Sequence, residues 1–280
     1  MTRYAFRIVN VFAESPLAGN PLAVLEDARG LDDATMQALA LQFNLSETTF
    51  VLPSAIASAR VRIFTPSFEM PFAGHPTLGT AHAVRELRHA GDEVTLEMRA
   101  GVIPVSAEGD VWTLTANAPR HRSPAASREA LARMVGLSAS DVDPRGEPLW
   151  VHTGSEQLVI PLASFAAVDR ARPHADALQS DGHNGTRAMA YVFAREGDHV
   201  KCRFFFPKHG AVVEDPGTGS ACANLGGWLL ATGAPLPVRL TLEQGDAVGR
   251  PCRLGLTVTA EGRIRVSGRV IEVARGVFHI

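Results

Sequence analysis

Apolar and polar residues alternate through Tyr4–Phe12, and shorter apolar runs bounded by turn residues follow at Pro21–Leu25, Thr48–Leu52 and Ala59–Thr65, which predicts four early β-strands. Between them Asp32 and Asp33 open an amphipathic helix through Phe43, acidic where the helix dipole favours it. Glu93–Met98, Val102–Ser106 and Val111–Thr115 continue as a β-meander. The periodicity then stops: residues 117–127, NAPRHRSPAAS, read as a linker, after which Ser127 caps a short helix ending at Gly136. A second set of strands is predicted at Leu149–His152, Gln157–Pro161, Ala188–Ala194, His199–Phe206, Val238–Glu243 and Cys252–Thr259. The tail reads as three more, Arg263–Ser267, Val270–Ala274 and Val277–Ile280. Strands dominate, and the regular β-α-β alternation of a doubly wound sheet is absent.

Two stretches break this pattern in the same way. Pro76–Val84 and Thr218–Thr232 carry no charged side chain on any face, the mark of helices surrounded by protein. The uncharged run from Pro216 to Val238 is long enough to span a bilayer, but its Gly and Pro content favours a core helix. The residues leading into the two helices are alike. RVRIFTPSFEMPFAGHPTLGTA (60–81) and KCRFFFPKHGAVVEDPGTGSA (201–221) each hold a strand ending in Phe-x-Pro, an irregular loop, then Pro, Gly and a small hydroxyl residue before an apolar helix. Registering Pro76 on Pro216 pairs His75 with Asp215, Gly79 with Gly219 and Thr80 with Ser220, with the loops differing by one residue. This order is expected from a duplication of half the chain. Helix N-termini rich in small residues leave backbone N–H groups available, and two such ends facing each other would bind a carboxylate or enolate oxygen.

Composition narrows the partners. The 280 residues suit two domains, each large enough for its own core. With a formal net charge of −2 and basic residues scattered singly, neither nucleic acid nor an anionic membrane is an expected partner. Three widely spaced cysteines, Cys202, Cys222 and Cys252, without a leader-like N-terminus read as reduced thiols in a cytoplasmic protein.

Five blocks together resemble one family. Gly19–Val24 (GNPLAV), Leu45–Thr48 (LSET), Gly74–Gly79 (GHPTLG), Glu214–Ala221 (EDPGTGSA) and Gln244–Pro251 (QGDAVGRP) resemble, in order and along nearly the whole chain, the phenazine-biosynthesis PhzF family. The resemblance implies an α+β, diaminopimelate-epimerase-like fold: two pseudo-symmetric β-barrel-like domains, each wrapped around a central helix. The expected domains are 1–117 with a C-terminal strand at about 270–280, and 118–269, with the site in the cleft between them. It further implies a homodimer, no metal, no organic cofactor and a small-molecule substrate. The proton-shuttling glutamate of the LSET-type motif falls on Glu47, with His75 and Asp215 as its catalytic companions. Substrate contacts fall on Asn20, Gly74, Gly219 and Ser220. The cysteines that thiol-dependent racemases of this fold carry before each central helix are missing: the stretches read Phe72-Ala73-Gly74-His75 and Glu214-Asp215-Pro216-Gly217.

Each candidate also has a plainer reading. Glu47 alone would be a solvated turn carboxylate, whereas a shuttle requires a partly buried one with a raised pKa. His75 could be a structural hydrogen-bonding group, Asp215 a helix N-cap, and Ser220, lacking G-x-S-x-G, a ligand contact rather than a nucleophile. Gly217–Ser220 resembles a phosphate cradle without the P-loop lysine, and His75 and His82 lack partners at metal-ligand spacing. The expected activity is a cofactor-independent 1,3-proton-shift isomerase. The alternatives are a cofactor-independent epimerase or racemase using Glu47 with Asp215, and a non-catalytic small-molecule binder.

Overall fold

The N-terminal alternation forms β1 (Arg3–Val11), followed by β2 (Asn20–Leu25), α1 (Asp33–Phe43), β3 (Glu47–Leu52), β4 (Ala59–Phe64), β5 (Glu69–Met70), α2 (Gly74–Leu87), β6 (Glu93–Met98), β7 (Gly101–Glu108) and β8 (Val111–Thr115). The second half comprises β9 (Arg120–Arg122), α3 (Arg128–Met134), β10 (Leu149–His152), β11 (Glu156–Pro161), α4 (Phe165–Arg170), α5 (Ala175–Asp181), β12 (Ala190–Glu196), β13 (His199–Lys208), β14 (Ala211–Asp215), α6 (Gly219–Ala231), β15 (Val238–Gln244) and β16 (Cys252–Val258). A long β17 (Ile264–His279) ends the chain. This computed structural model describes every residue except His209 and divides into two units, Met1–Thr115 with Ser267–Ile280, and Ala116–Val266.

In the first unit the strands close on themselves. β1 pairs antiparallel with β2, β2 parallel with β3, β3 antiparallel with β4, β4 parallel with β6, and β6–β7–β8 continue antiparallel. β17 pairs with both β8 and β1, completing an eight-stranded barrel. α2 contacts the ring strands β1 to β4 and β6 to β8, and Gly74–Ala81, Ala83 and Val84 are all buried. A helix enclosed in this way must be narrow and uncharged. At Gly79 a Cβ would meet Leu22 Cδ2 at 2.7 Å and Val11 Cγ2 at 2.9 Å.

The second unit repeats the pairing: β10 antiparallel to β11, β11 parallel to β12, β12 antiparallel to β13, β13 parallel to β15, β15 antiparallel to β16. α6 lies against β9, β10, β11 and β16, and α3 to α5 cover a separate apolar core around Leu131, Trp150, Leu158 and Leu178.

Hydrogen-bond register corrects the alignment of the two halves expected from sequence. Phe64 faces Glu69 across residues 65–68, and Phe205 faces Glu214 across residues 206–213. The turn therefore differs by four residues rather than one, and Pro71, not Pro76, matches Pro216. α2 starts at Gly74 with Ala73 as N-cap, and α6 at Gly219 with Thr218 as N-cap. His75 thus corresponds to Ser220, and Met70 to Asp215. By the same register Thr48 faces Phe64 as Ala190 faces Phe205, so Glu47 corresponds to Met189.

Other differences have local causes. Inside the expected linker, β9 pairs with β10, but its three residues are all exposed and show no alternation. α4, α5, β5 and β14 are too short to carry a period. The tail is one strand rather than three because its glycines mark close approach, not turns. A Cβ on Gly268 would lie 2.2 Å from Phe12 Cδ1, and one on Gly276 2.5 Å from Phe6 Cζ. Since Phe12 is fully buried and cannot swing away, Gly268→Ala is expected to lower stability by about 1–3 kcal/mol through overpacking. A urea midpoint equal to the wild type at unchanged slope would contradict this.

Candidate active site

Gly19 begins the first cluster. Its φ is +79°, and a Cβ there would meet Val11 O at 2.6 Å and Ala13 Cβ at 2.7 Å, so glycine alone makes the turn that starts β2 at Asn20. β3 starts at Glu47 and runs parallel to β2 with Glu47 opposite Leu22. α2 starts at Gly74 and presents His75 in its first turn. Asn20 Nδ2 and His75 Nδ1 lie 3.4 Å apart, and His75 Nε2 is 3.5 Å from Glu47 Oε2. Asn20, Glu47, Gly74 and His75 are therefore gathered at one place in the first unit. The Glu47 side chain is 15% exposed and that of His75 7%. The solvated-turn reading of Glu47 does not apply.

Burial holds the His75 pKa down to about 3, against a hydrogen bond to the Pro21 carbonyl that favours the charged ring. The imidazole is neutral, so its approach to Glu47 is not an ion pair, and at 3.5 Å it is longer than a good hydrogen bond. His75 Nε2 and Thr48 Oγ1 are buried without a hydrogen-bond partner among the described residues. Such atoms cost about 1–3 kcal/mol each until a ligand satisfies them. The N-cap residue of α2, Ala73, supplies no side-chain cap, and Thr77 Oγ1 donates to the Ala73 carbonyl at 2.7 Å.

The second unit holds Asp215, Gly219 and Ser220. Asp215 ends β14 and is not the N-cap of α6; Thr218 is, and no side-chain capping bond forms there. The Thr218 hydroxyl instead donates to Asp215 Oδ2. Ser220 Oγ accepts from Gln157 Nε2 at 2.9 Å, an amide donor and not the base that would activate a nucleophile. Asn224, one turn further along α6, accepts from Thr153 and donates to Gln157 and the Ser155 carbonyl. Burial pushes the Cys202 thiol up to about 12 and the Cys222 thiol well above its ordinary value, so both are protonated packing groups. Among the described residues no cluster of His, Cys, Asp and Glu is arranged to hold a metal ion, and no helix is long and apolar enough to cross a membrane.

Sequence reasoning missed the supporting polar groups. Thr218 and Gln244 lie inside two of the quoted blocks, but Gln157 and Asn224 carry no local signal because their partners are distant in sequence.

The model of the phenazine biosynthesis-like proteins matches residues 9–276. The chain belongs to this family. It is 39% identical over 99% of its length to an uncharacterized isomerase of Pasteurella multocida, 94% of which is covered. It is 36% identical over 99% of its length to the trans-2,3-dihydro-3-hydroxyanthranilate isomerase of Pseudomonas aeruginosa, 99% of which is covered. The PhzF-family phenazine biosynthesis protein of Bacillus anthracis superposes with a TM-score of 0.89 at 27% identity over all of both chains. The family is one of isomerases, and this chain is a PhzF-like isomerase with the α+β, barrel-like fold of that family.

The buried His75 makes a pH prediction. Its folded-state pKa of about 3 lies below the ordinary 6.5. Below pH 6.5 the unfolded chain binds a proton that the folded one does not, so the stability contribution present above 6.5 is lost progressively down to about pH 3. The imidazole ¹⁵N shifts of His75 should stay constant from about pH 8 to pH 4.5, and His75→Gln should flatten the acid side of the stability curve. Titration of His75 near 6.5 would refute the neutral assignment.

Proposed function

We propose that the protein catalyses a cofactor-independent 1,3-proton shift on a small, conjugated, carboxylate-bearing substrate, with Glu47 as the proton carrier. In this reaction a C–H bond breaks and its proton passes to Glu47, while the electron pair spreads into the conjugated system. The same carboxyl group then returns the proton two carbons away, so composition and oxidation state are unchanged. The neutral His75, its single N–H given to the Pro21 carbonyl, presents the Nε2 lone pair to a hydrogen-bond donor on the substrate or on the protonated Glu47. Asp215 and Ser220 bind and orient the substrate, with Asn20, Gly74 and Gly219 contributing contacts.

The observation carrying this reading is the asymmetry of the duplicated frame: the position of Glu47 is occupied in the second unit by Met189, which is buried and cannot carry a proton. Two-base epimerisation with bases at matched positions is disfavoured; one carboxyl that both takes and returns the proton is favoured. An epimerase using Asp215 as second base is distinguished by its product, a mirror-configured centre rather than a moved double bond. The name of the Pseudomonas relative makes trans-2,3-dihydro-3-hydroxyanthranilate the first compound to test.

Glu47→Gln preserves shape and removes the titratable group. The variant should keep its melting temperature while kcat falls by at least ~10²–10⁴, with solvent deuterium uptake into the substrate falling in parallel. Wild-type turnover by this variant would exclude Glu47 as the carrier.

A further inference from the structure

Gln244, which opens the Gln244–Pro251 block, ends β15 with its side chain only 1% exposed. Its Nε2 donates to the Asp215 carbonyl at 2.8 Å and to Thr218 Oγ1 at 2.9 Å, and its Oε1 accepts the Thr218 backbone N–H at 3.2 Å. Both faces of the amide are thus engaged, and their partners dictate which end is oxygen. Because the Thr218 oxygen already accepts from Gln244, its proton is directed onto Asp215 Oδ2. The result is a one-way chain, Gln244 to Thr218 to Asp215. Gly245 completes the seat: with φ +85°, a Cβ there would lie 2.5 Å from Pro216 O and 2.3 Å from Arg250 O.

The first unit shows what the fold itself requires. Met70 stands at the position of Asp215 and Ala73 at that of Thr218. Met98 stands at the position of Gln244, because Arg60 pairs with Glu97 as Lys201 pairs with Glu243. A strand end, turn and helix start of the same design are therefore built there from two methionines and an alanine. The polar chain is not a demand of the architecture. It also costs α6 the N-capping bond a threonine would ordinarily supply. A structural account explains neither the cost nor the asymmetry, whereas a carboxylate held in one orientation by a hydroxyl donor explains both.

We propose that Thr218 and Gln244 are positioning residues that fix the Asp215 carboxylate for substrate binding. The inference rests on the reading of Asp215 as a substrate-orienting group.

The test is a kinetic cycle with trans-2,3-dihydro-3-hydroxyanthranilate on Thr218→Val, Thr218→Ser, Gln244→Met, Asp215→Asn and the Thr218→Val/Asp215→Asn double variant. Gln244→Met installs the residue that the first unit uses. Thr218→Val and Gln244→Met should raise KM by roughly ten- to a hundredfold, the scale of a lost hydrogen bond to a charged group, with kcat changed much less. Thr218→Ser should restore KM. The double variant should be no worse than Asp215→Asn, because Thr218 acts through Asp215. Wild-type KM for Asp215→Asn would sink the reading of Asp215 itself. A large effect of Asp215→Asn with none from Thr218→Val, or additive losses in the double variant, would overturn the positioning inference alone. If the wild type leaves this compound unchanged, amide hydrogen exchange across Glu214–Ala221 decides instead: Thr218→Val should accelerate it and Thr218→Ser should not. Equal protection in both would overturn the inference.

Discussion

A helix enclosed by strands on every side is the constraint on which the first unit depends. Closing the sheet through β17 leaves no solvent-facing side for α2, so charge is excluded from its middle and bulk is excluded wherever a strand crosses closely, as at Gly79 against Leu22 and Val11. Both ends of the helix must then meet their polar requirements differently. At the C-terminal end, Glu86 receives Arg7, a guanidinium only 1% exposed that also holds Glu26 at 2.8 Å and Glu272 at 2.9 Å. A buried cation with three carboxylates around it is fully engaged, and removing the guanidinium would leave those carboxylates without the charge that holds them together. The N-terminal end has an alanine as N-cap, with a neutral histidine and a half-buried glutamate beside it.

The second unit obeys the same pairing rules but distributes polarity differently. Where α2 has Gly79 against Leu22, α6 has Asn224 bonded to Gln157, which in turn serves Ser220. Where the first unit has Met70, Ala73 and Met98, the second has Asp215, Thr218 and Gln244. The exchange runs the other way at one position, Glu47 against Met189. Duplication provided two equivalent frames, and each retained chemistry that the other lacks. The carboxyl group proposed to carry the proton belongs to one and the carboxylate held by a hydroxyl to the other. Matched arginine–glutamate pairs survive in both, Arg62 with Glu69 and Arg203 with Glu214, joining the strand before each turn to the strand after it. Their retention on both sides marks them as part of the frame.

Much of this was legible along the chain. Enclosed helices are recognisable from composition, because burial on all sides leaves no position for a charge. Most strand positions followed from short apolar runs, and the motif blocks led to Glu47, His75, Asp215 and Ser220. Elements whose stability comes from partners rather than from their own pattern were not legible: the exposed β9, the brief α4 and α5, and a tail whose glycines look like turns until Phe6 and Phe12 are placed against them.

What the sequence determined by itself was therefore the existence of two repeated, uncharged helices and the residue types at their entrances, since both follow from local spacing and composition. Which residue of one half answers to which in the other was decided only in three dimensions. Proline and glycine recur too often near a turn to set a register once residues 65–68 and 206–213 differ in length, whereas ladder hydrogen bonds admit a single pairing. The neutrality of His75 and the Gln244–Thr218–Asp215 chain were likewise tertiary outcomes. Burial and hydrogen-bond direction depend on neighbours brought from distant parts of the chain, and those neighbours are set by the fold.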